Sequence, residues 1–189
     1  MSEKKIINFG RRSIIGILGA SVISATPVYS KAFGFLRGAG DGRRLKMYSR
    51  VTGEKINIYY AIDGLYIAEA IDEISHFMRD TRENKIKKID TRTLDIISAT
   101  HNLIDTSEAY ILTSGYRTKK TNDRLRRKSK LVARSSYHVT GQAADISLKS
   151  RSVKEIARAA THCSAGGVGR YTSDNFVHID CGKTRIWGS

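Results

Sequence analysis

The chain has 189 residues, with 33 Lys or Arg against 18 Asp or Glu and a formal net charge of +15. At 40% hydrophobic and 27% charged it can bury a core of single-domain size, which excludes a globally disordered, collagen-like or multidomain chain. Two cysteines are too few for a disulfide framework or a four-cysteine zinc site, and no apolar run reaches the roughly 18 residues of an ordinary spanning helix.

The amino terminus reads as an address. Lys4-Lys5 and Arg11-Arg12 precede a mild apolar stretch from Ile14 to about Ala25 that shows no polar face, the layout of an export signal. Adjacent arginines directly before that stretch point to the twin-arginine route, which exports folded proteins. Val28 and Ser30 are small residues at the −3 and −1 positions of a cleavage near Ser30. Residues 1–30 are therefore expected to be a signal peptide, the only membrane contact while uncleaved, and the destination to be the periplasm. Its removal takes away Lys4, Lys5, Arg11, Arg12 and Glu3, a net +3, so 15 − 3 leaves +12 on the remainder. In an envelope that excess suits a carboxylate-bearing wall polymer, or simply a solvated basic surface. Nucleic acid is not expected, since export and the lack of any nucleic-acid motif count against it.

Residues 31–43 are Gly-rich and basic and read as a flexible lead-in, leaving 44–189 as the domain. Residues 45–49 and 55–60 flank Val51-Thr52-Gly53-Glu54 as a β-hairpin. The stretch 65–79 carries Ile67, Ala70, Ile71, Ile74, Phe77 and Met78 at helical spacing, and Thr91 looks like the N-cap of a second helix with Leu94, Ile97 and Ile104 on its apolar face. Residues 109–113 form a short strand, 122–128 a basic helix, 143–148 a strand, 153–160 a helix, and 167–171 and 176–180 two more strands. This irregular order predicts an α+β fold, a small antiparallel sheet with flanking helices, rather than a regular βαβ array.

Chemistry gathers in Ser136-Tyr137-His138-Val139-Thr140-Gly141-Gln142-Ala143-Ala144-Asp145. With 143–148 as a strand, Asp145 sits on it and His138 on the incoming loop, while Gly141 permits a sharp approach. Imidazole and carboxylate are both zinc ligands, but two do not hold the ion tightly, and Phe176-Val177-His178-Ile179-Asp180 offers a third. On a strand His178 and Asp180 share one face and Val177 and Ile179 the other. Two His and one Asp with an open fourth position is a catalytic zinc pattern, although from spacing alone a His–Asp surface hydrogen bond competes with it.

The motif Ser136-x-His138-x-x-Gly141-x-Ala143-x-Asp145 resembles the signature of zinc peptidases that include D-alanyl-D-alanine carboxypeptidases, dipeptidases and phage endolysins, with a metal site of similar plan in the hedgehog domain. Ser114-Gly115-Tyr116-Arg117-Thr118 with Asn122, Gly166-Gly167-Val168-Gly169-Arg170-Tyr171 with the 176–180 strand, and the Arg185-Ile186-Trp187 ending extend the match in order over residues 43–188. With a twin-arginine signal in front, the nearest subgroup is the exported murein endopeptidase K type of Gram-negative bacteria. The resemblance implies a zinc site in a cleft on the sheet, one ion per chain, with His138, Asp145 and His178 as ligands. It implies hydrolysis of peptidoglycan stem-peptide cross-links by a monomer, with terminal D-alanine trimming or a non-catalytic wall-binding module as alternatives. Arg117 becomes a substrate or transition-state clamp, or a structural ion pair beneath the site. Relatives with a catalytic Glu three residues before the last His differ from this chain, which has Asn175 there and Asp174 and Asp180 nearby. Asp180 is therefore expected as base or as orienter of His178, with the swap of Asp180 as ligand and His178 as base as the alternative, since some relatives have His-x-His here with the second His as ligand. Tyr137, Ser136, Gln142 and Tyr171 are expected at the substrate groove or behind the ligands. The basic run 119–134 is expected either to collect anionic muropeptides or to be a solvated helix, and Cys163 and Cys181 to be bridged or to be two buried thiols.

Overall fold

The computed structural model describes residues 22–24 and 42–188. The expected signal peptide and lead-in lie outside the described residues, apart from 22–24 and 42–43. In chain order the elements are β1 (Val22–Ser24), β2 (Gly42–Ser49), β3 (Lys55–Ile62), β4 (Leu65–Ile67), α1 (Ala68–Phe77), α2 (Thr91–Ile104), β5 (Tyr110–Ser114) and α3 (Lys119–Lys128). One turn of 3-10 helix (Tyr137–Thr140) then leads into β6 (Ala143–Ser147), α4 (Val153–His162), β7 (Gly167–Tyr171), β8 (Phe176–Asp180) and β9 (Arg185–Gly188).

The strands form one sheet in the order β1-β4-β3-β2-β5-β6-β8-β7-β9. Neighbours are antiparallel except β2 with β5 and β7 with β9. The α+β class is the one the sequence predicts. The sheet is larger than expected because β1, β4 and β9 have only three or four residues each, too few to show a period of two. Residues 65–67, expected as the start of a helix, instead form β4, with Leu65 and Tyr66 paired to β3 and Ile67 to β1, and the helix begins at Ala68. The chain is also in the sheet from Gly42, within the expected lead-in, and Arg43 is buried there with its guanidinium 2.9 Å from Asp95.

Helices α1, α2 and α4 carry the apolar stripes. Ala70, Ile71, Ile74 and Phe77 of α1, Leu94, Ile96 and Ile97 of α2, and Ile156, Ala157 and Ala160 of α4 join Leu45, Met47, Ile146, Val177 and Ile179 of the sheet in one buried cluster. The N-cap of α2 is Asp90 rather than Thr91, its side chain accepting from the Arg92 amide. A capping box between Ser152 and Glu155 starts α4. Among the described residues no helix is long and apolar enough to cross a membrane. Cys163 and Cys181 are both buried in the core as thiols and are not bridged to each other.

The helix α3 differs in kind from the other three. It buries only Thr121 and Asn122, so little apolar surface holds it to the body. Glu83 pairs with Lys120 at 2.9 Å and Arg124 at 3.2 Å, while Asp123 approaches Lys119 and Arg126 at 3.4 and 3.7 Å. Such exposed pairs contribute about 0–1 kcal/mol each. The basic run is thus partly neutralised against two carboxylates, and its apolar residues Leu125, Leu131 and Val132 line a cleft on the sheet.

Candidate active site

That cleft has a volume of about 500 Å³, and at its base lie His138, Asp145 and His178. Three pieces of local structure bring them together. Strands β6 and β8 pair so that Asp145 stands opposite His178. With Val177 and Ile179 buried in the core, alternation turns His178 toward the opposite face of the sheet, where the cleft lies. The 3-10 turn carries His138, and it closes on Gly141 at φ 74°, a left-handed conformation that glycine adopts without strain.

The donor atoms converge closely. Asp145 Oδ1 lies 3.1 Å from His138 Nε2 and 2.9 Å from His178 Nδ1, and the two imidazole nitrogens are 3.2 Å apart. On its far edge His138 Nδ1 donates to the Gly115 carbonyl at 2.7 Å. His178 Nε2 donates to Asp180 Oδ2 at 3.0 Å. Because a carbonyl and an ionised carboxylate can only accept, both ring protons are placed outward, and the lone pairs of His138 Nε2 and His178 Nδ1 face the Asp145 oxygen. Three acceptors pointed at one spot repel each other unless a cation lies among them. A tetrahedral ion with bonds of about 2.0–2.1 Å sets its ligand atoms roughly 3.3 Å apart, close to the spacing seen. These residues therefore suit a metal ion in both chemistry and reach, and their donor atoms all lie within 4.8 Å of one another.

Titration behaviour follows from the same contacts. Burial lowers the pKa of His138. Burial also opposes charge on His178, but with no ion between them the protonated ring donates to both Asp145 and Asp180, which outweighs burial and raises its pKa. Burial alone would raise the Asp145 carboxyl, whereas the charges and hydrogen bonds of the two histidines hold it well below the usual carboxylate range. Asp180 is likewise held well below that range against the effect of burial, by His178, Arg185 and the Gly182 amide.

The expected site residues divide on inspection. Arg117 donates from Nη2 to Asp145 Oδ2 at 2.5 Å and from Nε to Ser114 Oγ at 2.7 Å, so it forms an ion pair with one of the three candidate ligands. It also lines the cleft. Asp180 does not have the position of a base. It is fully buried behind the His178 ring, with Arg185 at 2.7 and 3.0 Å and the Gly182 amide at 2.9 Å on its two oxygens. Every approach to its lone pairs is filled by a donor, which is the setting of an orienter. Tyr137, Ser136 and Tyr171 line the cleft. Ser136 Oγ accepts from the His138 amide, capping the turn. Gln142 is the correction: it is absent from the cleft lining, and its amide bridges Asp90 at 3.1 Å and Thr140 at 2.7 Å. Gln142 precedes β6, so strand alternation does not govern it, and the contacts to Asp90 and Thr140 set its direction.

Other cleft residues carried weaker signals. Arg185 lies over the Tyr137 and Trp187 rings at 5.2 and 4.6 Å, and Trp187 packs on His178 at 5.4 Å. Gly167 and Gly169 make room for this layer, since a Cβ at either would fall within 2.6 Å of Arg185 or Trp187 atoms. The Gly-x-Gly alternation of β7, with Val168 turned into the core, is the sequence trace of that layer. Asp174, in the turn between β7 and β8, is an exposed carboxylate lining the cleft. Arg82 lines it as well, from a segment that sequence patterning left without a role.

The family model described as Peptidoglycan L,D-endopeptidase MepK matches residues 37–187. The chain belongs to this family. Within it, the Peptidoglycan L,D-endopeptidase MepK of Escherichia coli is 38% identical over 177 residues, covering 94% of this chain and 96% of that protein. The protein of the same name from Shigella flexneri matches to the same extent. The Probable peptidoglycan L,D-endopeptidase MepK of Haemophilus influenzae is 30% identical over 137 residues, 72% of this chain and 74% of that protein. The metallopeptidase family expected from the motif around His138 and Asp145 is the family found.

Proposed function

We propose that the chain is a zinc-dependent endopeptidase of the periplasm that hydrolyses L,D peptide cross-links between peptidoglycan stem peptides. The observation that carries the reading is the convergence of His138 Nε2, Asp145 Oδ1 and His178 Nδ1 in a cleft, with the outward edge of each imidazole anchored. Family membership and the names of the relatives support the substrate.

His138, Asp145 and His178 would hold the ion, which supplies Lewis acidity toward a carbonyl oxygen and makes water a competent nucleophile near neutral pH. The remaining work belongs to the chain itself. Asp180 keeps the His178 proton on Nε2 and so keeps Nδ1 free for the ion. Arg117 fixes the Asp145 carboxylate through Nη2, and Nη1 meets the carbonyl oxygen as it becomes anionic. Asp174, the cleft carboxylate with open access to water, accepts the proton of the attacking water and returns it to the departing amine. Tyr137, Tyr171 and Trp187 give the peptide flat apolar walls.

Purified sacculi are the test. The protein is expected to release cross-linked dimers as monomers, to lose this activity in a chelator, and to regain it with zinc. Release of D-alanine alone would make it a carboxypeptidase, and binding without any release would make it a wall-binding module. We further infer export by the twin-arginine route from Arg11-Arg12. Replacing both with Lys is expected to trap the precursor in the cytoplasm, and unimpaired processing of that variant would exclude the route.

A further inference from the structure

Three arginines line the cleft: Arg82, Arg117 and Arg185. Two are committed, Arg117 to Asp145 and Arg185 to Asp180. The guanidinium of Arg82 has no hydrogen-bond or ion-pair partner among the described residues, and only its backbone amide is engaged, by Asp80 Oδ1 at 3.0 Å.

The segment that presents Arg82 is a built platform. Asp80 and Lys85 exchange both backbone hydrogen bonds, at 2.9 and 3.1 Å, closing the loop at its neck. The buried Asp80 carboxylate then takes the Arg82 amide on one oxygen and the Thr118 amide, at 2.8 Å, on the other. Thr118 directly follows Arg117, so the platform is tied to the segment that carries the Asp145 partner. Glu83 is anchored from outside by Lys120 and Arg124. The neighbouring cations thus satisfy Glu83, and Arg82 is left facing the cleft. An unpaired guanidinium on a fixed loop loses less conformational freedom on binding than one on a mobile loop, and its planar fork matches a carboxylate.

We propose that Arg82 forms a carboxylate-binding subsite of the cleft, selecting peptides with a free carboxylate beside the scissile bond. This rests on the endopeptidase reading for its substrate, since stem peptides carry such carboxylates, but the subsite is testable by binding alone. The chemistry is a charge-assisted, bidentate contact, and it distinguishes a carboxylate from the carboxamide of the same shape, which cannot accept both forks as an anion.

The experiment uses the zinc-loaded full domain and two cross-linked stem peptides, one with free side-chain carboxylates and one with those groups amidated. Equilibrium binding and turnover are measured for wild type, Arg82→Gln and Arg82→Lys. Wild type should bind the carboxylate peptide ~10–100-fold more tightly than the amide, the range of a hydrogen bond to a charged group. Arg82→Gln should remove that preference, raising KM for the carboxylate peptide and leaving its kcat within about twofold, because the contact is made equally in ground and transition states. Arg82→Lys should restore part of it. Equal weakening on both peptides, an undiminished preference in Arg82→Gln, or no binding of either peptide would overturn the proposal. Tight, Arg82-dependent binding with no cleavage by wild type would instead uphold the subsite and refute the endopeptidase reading.

Discussion

Replacing His138 with Ala should strip the chain of zinc and of turnover together. Two remaining ligands, Asp145 and His178, leave the ion with two open positions where three protein atoms held it, and structural or catalytic sites at neutral pH need the third. The loss in affinity should exceed the ~10–100-fold typical of removing an outer hydrogen-bond partner. Asp145→Ala should lose zinc as fully and should also destabilise the fold. Its carboxylate pairs with Arg117, and the two side chains are 5% and 13% exposed, so the substitution leaves a largely buried guanidinium without its anion. Breaking such a pair costs about 3–5 kcal/mol. The two variants therefore separate by thermal unfolding in chelator, where no metal contributes: His138→Ala should melt nearer to wild type than Asp145→Ala. Zinc content by elemental analysis on the folded fraction checks the shared part. Full zinc occupancy in both variants would refute the ligand assignment whatever became of activity.

Much of this arrangement was legible in the sequence, for reasons that differ residue by residue. The three candidate ligands were visible because each sits in a patterned segment: His138 and Asp145 flank a glycine whose left-handed φ is needed there, and His178 alternates with core Val177 and Ile179. Their meeting was legible only through the family resemblance and not from spacing, because it depends on the register that sets Asp145 opposite His178 across two strands 33 residues apart. The long amphipathic helices were likewise legible from their stripes. The error at 65–67 arose because Ile67 continues the apolar spacing of the helix, while pairing with β3 and β1 takes those residues into the sheet. Gln142 misled because its place inside the motif says nothing about its direction, and Asp90 and Thr140 hold it on the other side of the turn. Arg82 carried no local signal at all. Its role depends on Asp80 reaching Thr118, 38 residues along the chain.

The same contacts make Asp174 and Asp180 separable. Asp174→Asn should keep its zinc and lose turnover by ~10²–10⁴-fold, the contribution of a positioned general base. The residue is exposed in the β7–β8 turn, so stability should change by no more than about 0.5 kcal/mol. Asp180→Asn should fail in a different way. An amide offers one acceptor and one donor where the carboxylate offered two acceptors, yet His178 Nε2, both Arg185 nitrogens and the Gly182 amide all donate to it. Whichever way the amide is turned, its NH₂ meets a donor. If it faces His178, the ring is pressed to move its proton to Nδ1, the atom that must bind the ion. Zinc affinity should therefore fall ~10–100-fold, as for other partners behind a metal-bound histidine. Arg185 is 40% exposed and can turn to water, which limits the damage to the fold. Saturating zinc should then restore most of the turnover of Asp180→Asn and none of that of Asp174→Asn. A zinc titration of activity for the two variants decides between the roles. If Asp180→Asn stays inactive at full zinc occupancy while Asp174→Asn works normally, Asp180 is the base in spite of its enclosure, and the ring of His178 is held by its packing against Trp187 instead.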